Sequence, residues 1–154
     1  MSRAFVRESD QEPQPLPERA VSAHPNLVTQ AGLKQLEARI QALDVERQSA
    51  SDAGDTVTLA GIERDLRYFR ARRGTARVIE PAMPLRAVVF GARVTLRFAD
   101  GTERAFRLVG EDEGDPANAL LSWVSPLAQS LLKLQVGDTV RFQGKDIEIL
   151  GVEP

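Results

Sequence analysis

The side chains that most often carry out catalysis are scarce in this sequence. It has no cysteine and a single histidine, His24, whose position between Ala23 and Pro25 is typical of a turn. Disulfides, thiolate metal sites and thiol nucleophiles are therefore excluded, and a zinc site would need carboxylates almost alone. There is no glycine-rich phosphate loop or nucleophile elbow, and the serines lack a histidine to activate them. The chain is not expected to be an enzyme by itself.

Asp52 and Asp55 are the first side chains with the means to do chemistry, because they flank a predicted turn around Gly54. Carboxylates at the end of a rigid rod supply the oxygen ligands that suit a Mg²⁺ ion held by another macromolecule. The alternative is structural: Asp55 caps the helix that follows, and Asp52 favours the turn. Spacing alone leaves both interpretations open.

Arginines form the second candidate site, over residues 64–77. Spacings of three and four place Arg70, Arg73 and Arg77 along one side of a helix. A cationic face of this kind suits nucleic-acid phosphate or an acidic protein surface. The alternative is a solvated face whose arginines pair with neighbouring carboxylates such as Glu37. The basic face is defined as Arg64, Arg67, Arg70, Arg73 and Arg77, and Arg72 belongs to the same arginine-rich stretch.

Two predicted helices position these candidates. Thr29 is suited to cap the first helix, and apolar residues then recur at spacings of three and four. A second seam with the same spacing begins at Leu59, after the polar turn. Two amphipathic seams joined by a short turn predict an antiparallel helical hairpin. The seams consist of Leu33, Leu36, Ile40 and Leu43, and of Leu59, Ile62, Leu66 and Phe69.

From residue 88 onward the apolar period becomes two, which predicts strands. Strand-like runs start at Val88 and Val94, Asp100-Gly101 indicates a hairpin turn, and Ser125-Pro126 indicates the start of a short helix. The predicted class is α+β: an antiparallel helical hairpin followed by an antiparallel sheet with one helix. The predicted divisions are a disordered Pro-rich arm (1–27), the hairpin coiled coil (28–80), a linker (81–87) and the sheet domain (88–154).

Charge and hydropathy exclude further classes of function. The formal net charge is −2, so the chain as a whole is not expected to bind nucleic acid non-specifically. No apolar run approaches the ~18–20 residues of a membrane span. The first residues lack the apolar stretch of a secretory signal. We expect a cytoplasmic protein with no membrane partner.

Five short blocks stand out in the second half of the chain: VFGARVTL at 89–96, LVGEDEGDP at 108–116, SWVSPLA at 122–128, LL at 131–132 and VGD at 136–138. In order and spacing, these blocks closely resemble the C-terminal domain of the GreA/GreB transcription factors. The stretch Val28-Thr29-Gln30-Ala31-Gly32 also resembles the opening of that family's coiled coil, and the start of the chain with its Pro-rich arm resembles a GreA/GreB-like subgroup. The resemblance implies an FKBP-like C-terminal domain that binds bacterial RNA polymerase at the rim of its secondary channel.

The resemblance also implies where the polymerase contact lies. In the family it is made around the acidic loop and the start of the Ser-Pro helix, which carries over to Asp115, Ser122, Ser125 and Pro126. The hairpin would then point down the channel, close to the RNA and DNA of the elongation complex. Standard members use acidic tip residues to help hold a second Mg²⁺ while the polymerase hydrolyses backtracked RNA. That shared ion is the only metal implied, and no cofactor of the chain's own is expected.

The hairpin tip departs from the family pattern. The family tip is approximately Gly-Asp-x-Ser-Glu-Asn-Ala-Glu-Tyr, whereas residues 51–58 are Ser-Asp-Ala-Gly-Asp-Thr-Val-Thr. Each helical arm is also shorter by roughly two turns, about 10 Å. We therefore expect a regulator of elongation that occupies the channel without stimulating cleavage. The alternatives are a genuine cleavage factor in which Asp52 and Asp55 assist the polymerase Mg²⁺, and an FKBP-like isomerase or chaperone suggested by fold alone.

Overall fold

A computed structural model describes residues 15–154, and its first large element is the predicted helical hairpin. Helix α1 spans Gln30–Asp52 and helix α2 spans Thr56–Thr75. The Thr29 hydroxyl caps α1 by accepting a hydrogen bond from the Gly32 amide at 3.0 Å. The two seams meet as the spacing predicts, and they bury Leu43, Ala50, Ile62 and Leu66 against Ile40, Leu59 and Phe69.

The base of the hairpin is tied together by a short parallel pair of strands. Strand β1, Leu27–Val28, enters α1, and strand β2, Arg77–Val78, leaves α2. The start of α1 and the end of α2 therefore lie beside each other, at the end of the hairpin that faces the second half of the chain.

A five-stranded sheet forms the second half of the chain, in the order β5-β4-β3-β7-β6. Neighbouring strands are antiparallel except β4 and β5, which are parallel. The prediction of a purely antiparallel sheet is therefore wrong at this edge, because two short 3-10 helices, Glu111–Glu113 and Pro116–Asn118, carry the chain across before β5 begins. The strands are β3 Arg93–Phe98, β4 Glu103–Val109, β5 Leu120–Ser122, β6 Thr139–Phe142 and β7 Lys145–Glu153.

Helix α3, Pro126–Leu131, closes the core on one face of this sheet. Side chains alternate across β3, so that Val94 and Leu96 are buried while Arg93 and Arg97 are exposed. The sheet-and-helix part of the predicted α+β class is confirmed. The buried core consists of Val88, Val94, Leu96, Phe106, Leu108, Ala128, Leu131, Ile147 and Ile149.

The expected strand at residues 88–90 is absent. Val88 is buried, and its backbone exchanges two hydrogen bonds of 2.8 Å with Lys133 and Leu134 in the loop after α3. The chain then turns at Gly91, whose φ of 84° favours glycine, before β3 begins. The prediction of a strand fails here because an apolar run that is buried against a loop gives the same hydrophobic signal as one that is buried in a sheet.

The Pro-rich arm also differs from its prediction. Residues 1–14 lie outside the described residues, and residues 15–26 have no regular secondary structure. The described part of the arm nevertheless packs against the rest of the chain. Asn26 is buried, and its Nδ2 donates to the Arg72 carbonyl oxygen at 2.6 Å. Prolines prevented a helix here but left side chains free to make tertiary contacts.

Candidate functional site

The two carboxylates of the hairpin tip have different environments. Asp55 caps α2, because its Oδ1 accepts a hydrogen bond from the Thr58 amide at 3.0 Å. Hydrogen bonding from Thr58 lowers the pKa of Asp55 from its ordinary value. Asp52 lies in the last turn of α1, where its Oδ1 accepts from Gln48 Nε2 at 2.8 Å. Both carboxylates are exposed, and the capping role that the sequence allowed for Asp55 is present.

The basic face of α2 is neutralised by acidic partners. Arg70 reaches across to Asp44 of α1 at 2.8 Å, and Arg73 reaches Glu37 at the same distance. Arg67 lies 2.6 Å from Glu18, and Arg64 lies 3.1 Å from Asp65. Arg77 lies beyond the helix, in β2. The arrangement matches the solvated, ion-paired alternative more closely than an open phosphate-binding stripe.

The four residues carried over from the family gather at one edge of the sheet, around β5. Asp115 and Leu120 exchange backbone hydrogen bonds of 2.9 and 3.0 Å, and the Ser125 amide donates to the Ser122 carbonyl oxygen at 3.0 Å. The Ser125 hydroxyl caps α3 by accepting from the Ala128 amide at 3.4 Å. Asp115, Ser122, Ser125 and Pro126 are called the docking edge below.

A second cluster, which sequence reasoning missed, joins the hairpin to the sheet. The acidic turn at 111–113 faces the base of the hairpin rather than solvent. Glu113 is only 8% exposed; its Oε2 accepts from the Thr29 and Gly110 amides at 3.0 and 2.9 Å, and its Oε1 accepts from the Thr29 hydroxyl. A Cβ on Gly32 would collide with this carboxylate. Glu113 therefore anchors the start of α1, where a helix favours negative charge.

Asp112 anchors α2 in the same way. Its Oδ2 accepts from Arg72 Nε at 2.6 Å, and its Oδ1 accepts from the Tyr68 hydroxyl at 2.6 Å. Glu111 Oε2 lies 3.5 Å from Arg72 Nη2, and Arg72 is 1% exposed. Burial and the bond to Asp112 raise the pKa of Tyr68 to about 12. The junction is defined as Thr29, Gly32, Tyr68, Arg72 and residues 111–113.

The junction left a signal that was available in the sequence. Three consecutive acids, Glu111 to Glu113, precede Gly114, and Arg72 lies three residues after Phe69, the last residue of the second apolar seam. Because residues three apart lie on the same side of a helix, Arg72 continues the buried side of α2 toward the base of the hairpin. The family resemblance assigns the acidic loop only to the polymerase contact and gives no sign of its contact with the hairpin.

Within residues 15–154, no helix has the length and hydropathy that a membrane crossing requires. The same residues contain no group of three or more His, Asp and Glu side chains placed to hold a metal ion.

Comparison with known proteins shows which sequences this chain is similar to. Residues 83–154 match the family model described as "Transcription elongation factor, GreA/GreB, C-term". The chain is similar to the transcription elongation factor GreA of Desulfovibrio desulfuricans, with 31% identity over 144 residues covering 79% of this chain and 89% of that protein. It is also similar to the transcription elongation factor GreB of Neisseria meningitidis serogroup A, with 41% identity over 98 residues.

The alignment to the meningococcal GreB spans 60% of that protein's length and 60% of this chain. Two solved structures are also similar. A GreA/GreB factor from Nitrosomonas europaea has 21% identity and a TM-score of 0.43, over 84% of this chain and 99% of that one. GreA factor homolog 1 of Thermus thermophilus has 16% identity and a TM-score of 0.40, over 85% and 100%. Through its similarity to GreA along most of both sequences, the chain belongs to the GreA/GreB family of transcription elongation factors.

Proposed function

We propose that this chain binds RNA polymerase through the docking edge, inserts its hairpin into the secondary channel and regulates elongation there without stimulating transcript cleavage. The observation that carries the proposal is the contrast between the two ends of the molecule. The docking edge keeps the residues expected from the family, whereas the tip lacks the family's acidic pattern and uses Asp55 as a helix cap.

The proposed mechanism is occupancy. The docking edge holds the rim of the channel, and the junction fixes the direction in which α1 and α2 project. A rod in the channel excludes other factors that enter by the same route. The chain supplies no nucleophile and no metal of its own in this proposal, and it acts in the cytoplasm, beside the polymerase.

The test is a cleavage assay on purified, artificially backtracked elongation complexes, with polymerase binding measured in parallel. We expect binding without cleavage, and competition with a true cleavage factor. Asp115→Asn should weaken binding about tenfold, equivalent to ~1.4 kcal/mol. Asp146→Asn, at an exposed position on β7, is the matched control and should bind like the wild type. A folded wild-type chain that fails to bind polymerase would overturn the proposal.

The second candidate, a genuine cleavage factor, rests on the exposure of both tip carboxylates. It predicts cleavage that is lost in the double variant Asp52→Ala, Asp55→Ala. The isomerase alternative has less support, because it rests on likeness of fold alone, and a fold by itself does not establish a function.

A further inference from the structure

Residues 15–24, called the arm below, lie along the outer side of α2. Leu16 lies nearest the hairpin tip, with its Cδ1 3.9 Å from the point that a Cβ on Gly61 would occupy. Glu18 accepts hydrogen bonds from Arg67 Nε and Nη2 at 3.0 and 2.6 Å. The Arg19 guanidinium lies 3.9 Å from the centroid of the Tyr68 ring. The arm therefore runs parallel to α2, from tip toward base.

The other end of the arm reaches the docking edge. The His24 ring packs edge-on against Trp123, with 6.0 Å between the ring centroids. Trp123 stands between Ser122 and Ser125 in the sequence. Gly61, at the far end, is six residues past Asp55, or about 9 Å along the helix axis. The arm thus runs from the docking edge to within about 9 Å of Asp55 at the hairpin tip.

The arm changes the surface that α2 offers to a partner. Glu18 neutralises Arg67, and Arg19 lies 3.4 Å from Asp65, which also pairs with Arg64. Phosphate would have to displace these carboxylates before it could bind the arginines. The arm itself exposes apolar side chains, with Leu16 43% and Val21 50% exposed. Such a surface fits a protein wall better than nucleic acid.

We propose that the arm is a third element of the inserted rod: it enters the channel together with α1 and α2, and it meets the protein wall of the polymerase in place of the arginines of α2. The inference rests on the proposed function. It differs from an autoinhibitory role, in which the arm would cover α2 only until the polymerase displaced it.

An engineered disulfide between the arm and α2 distinguishes these roles. Because the chain has no cysteine of its own, the two introduced cysteines can pair only with each other within one molecule. The full-length double variant Leu16→Cys, Gly61→Cys is oxidised, and disulfide formation is followed by mass spectrometry. The matched control is Leu16→Cys, Val45→Cys, because Val45 lies exposed on α1. We expect the first pair to close and the control pair to stay open. Closure of the first pair no faster than closure of the control pair would show that the arm does not follow α2.

Polymerase binding is then compared between the oxidised and reduced forms of the trapped variant. We expect affinities within twofold of each other. A loss of tenfold or more on oxidation, reversed by reductant, would show that the arm must leave α2 and would overturn the inference while leaving the proposed function intact. Absence of binding by the wild type would instead overturn both.

The class of partner is tested with a photoreactive group at Val21 in the assembled elongation complex. We expect labelling of polymerase protein and little labelling of RNA or DNA. A label at Val136, exposed in the loop before β6, is the control for residues outside the rod. Labelling confined to nucleic acid, or labelling at Val21 that equals the control at Val136, would overturn the inference.

Discussion

Two residues of the same type can be constrained differently by their surroundings, as two helical glycines of this protein show. Gly32 and Gly74 both lie inside helices. A Cβ on Gly32 would collide with the Glu113 carboxylate, whereas nothing lies within 4 Å of a Cβ on Gly74. The constraint on Gly32 therefore comes from a residue far away in the sequence, and Gly74 carries only the intrinsic helix penalty of glycine.

We predict that Gly32→Ala lowers the free energy of unfolding by about 2–3 kcal/mol, through overpacking and loss of hydrogen bonds to Glu113. Gly74→Ala, the matched control, should raise it by up to ~1 kcal/mol because alanine favours the helix. Urea denaturation followed by circular dichroism at 222 nm measures both. Equal stabilisation by the two substitutions would mean that Glu113 does not lie over the start of α1.

Whole elements show which part of the fold follows from local sequence. Within residues 15–154, the three α-helices begin at the side-chain caps Thr29, Asp55 and Ser125, and the sequence indicates each cap because it acts within three residues. The Asp100-Gly101 turn between β3 and β4 was recognisable for the same reason.

Long-range contacts could not be predicted in this way. The parallel pairing of β5 with β4, the burial of Arg72 and the contacts of Glu18 each depend on residues distant in the sequence. A local pattern predicts whether a segment forms a helix or a strand, but it does not predict which distant segment packs against it. Among the candidate site residues, the docking edge followed from family resemblance, and the tip carboxylates and the basic face followed from spacing.

At the start of α2 we predict that Asp55→Ala costs about 1 kcal/mol of stability, because the Thr58 amide loses its acceptor. Asp52→Ala removes only an exposed contact with Gln48 and should stay within about 0.5 kcal/mol of the wild type. Thermal and urea unfolding of both variants provide the comparison. If the two substitutions proved equally costly, Asp55 would have no special role in starting the helix.

On the scale of the whole molecule, the junction couples two parts that each have their own core. One core lies between α1 and α2, and the other lies between the sheet and α3. Arg72 and Glu113 are the buried charged residues of the junction, and each is held by partners on the opposite part. The hairpin core is small, so its stability depends on that connection.

We predict that Arg72→Met lowers stability by about 3 kcal/mol, because Asp112 is left without its cationic partner. It should also separate two transitions that coincide in the wild type: helix loss at 222 nm and the fluorescence change of the single tryptophan, Trp123. Arg73→Met, which breaks only the exposed pair with Glu37, should cost less than ~1 kcal/mol and leave the transitions together. Coincident transitions in Arg72→Met would refute the coupling.

Because the junction lies at the base of the hairpin, a small rotation there moves the hairpin tip sideways by a much larger distance. Helix α1 contains 23 residues, a length of about 35 Å. A rotation of about 10° at its base would sweep the tip sideways by about 6 Å, the rise of roughly four helical residues. The acidic turn at 111–113 holds the base of the hairpin, so its side chains fix the position of the tip at the opposite end of the rod.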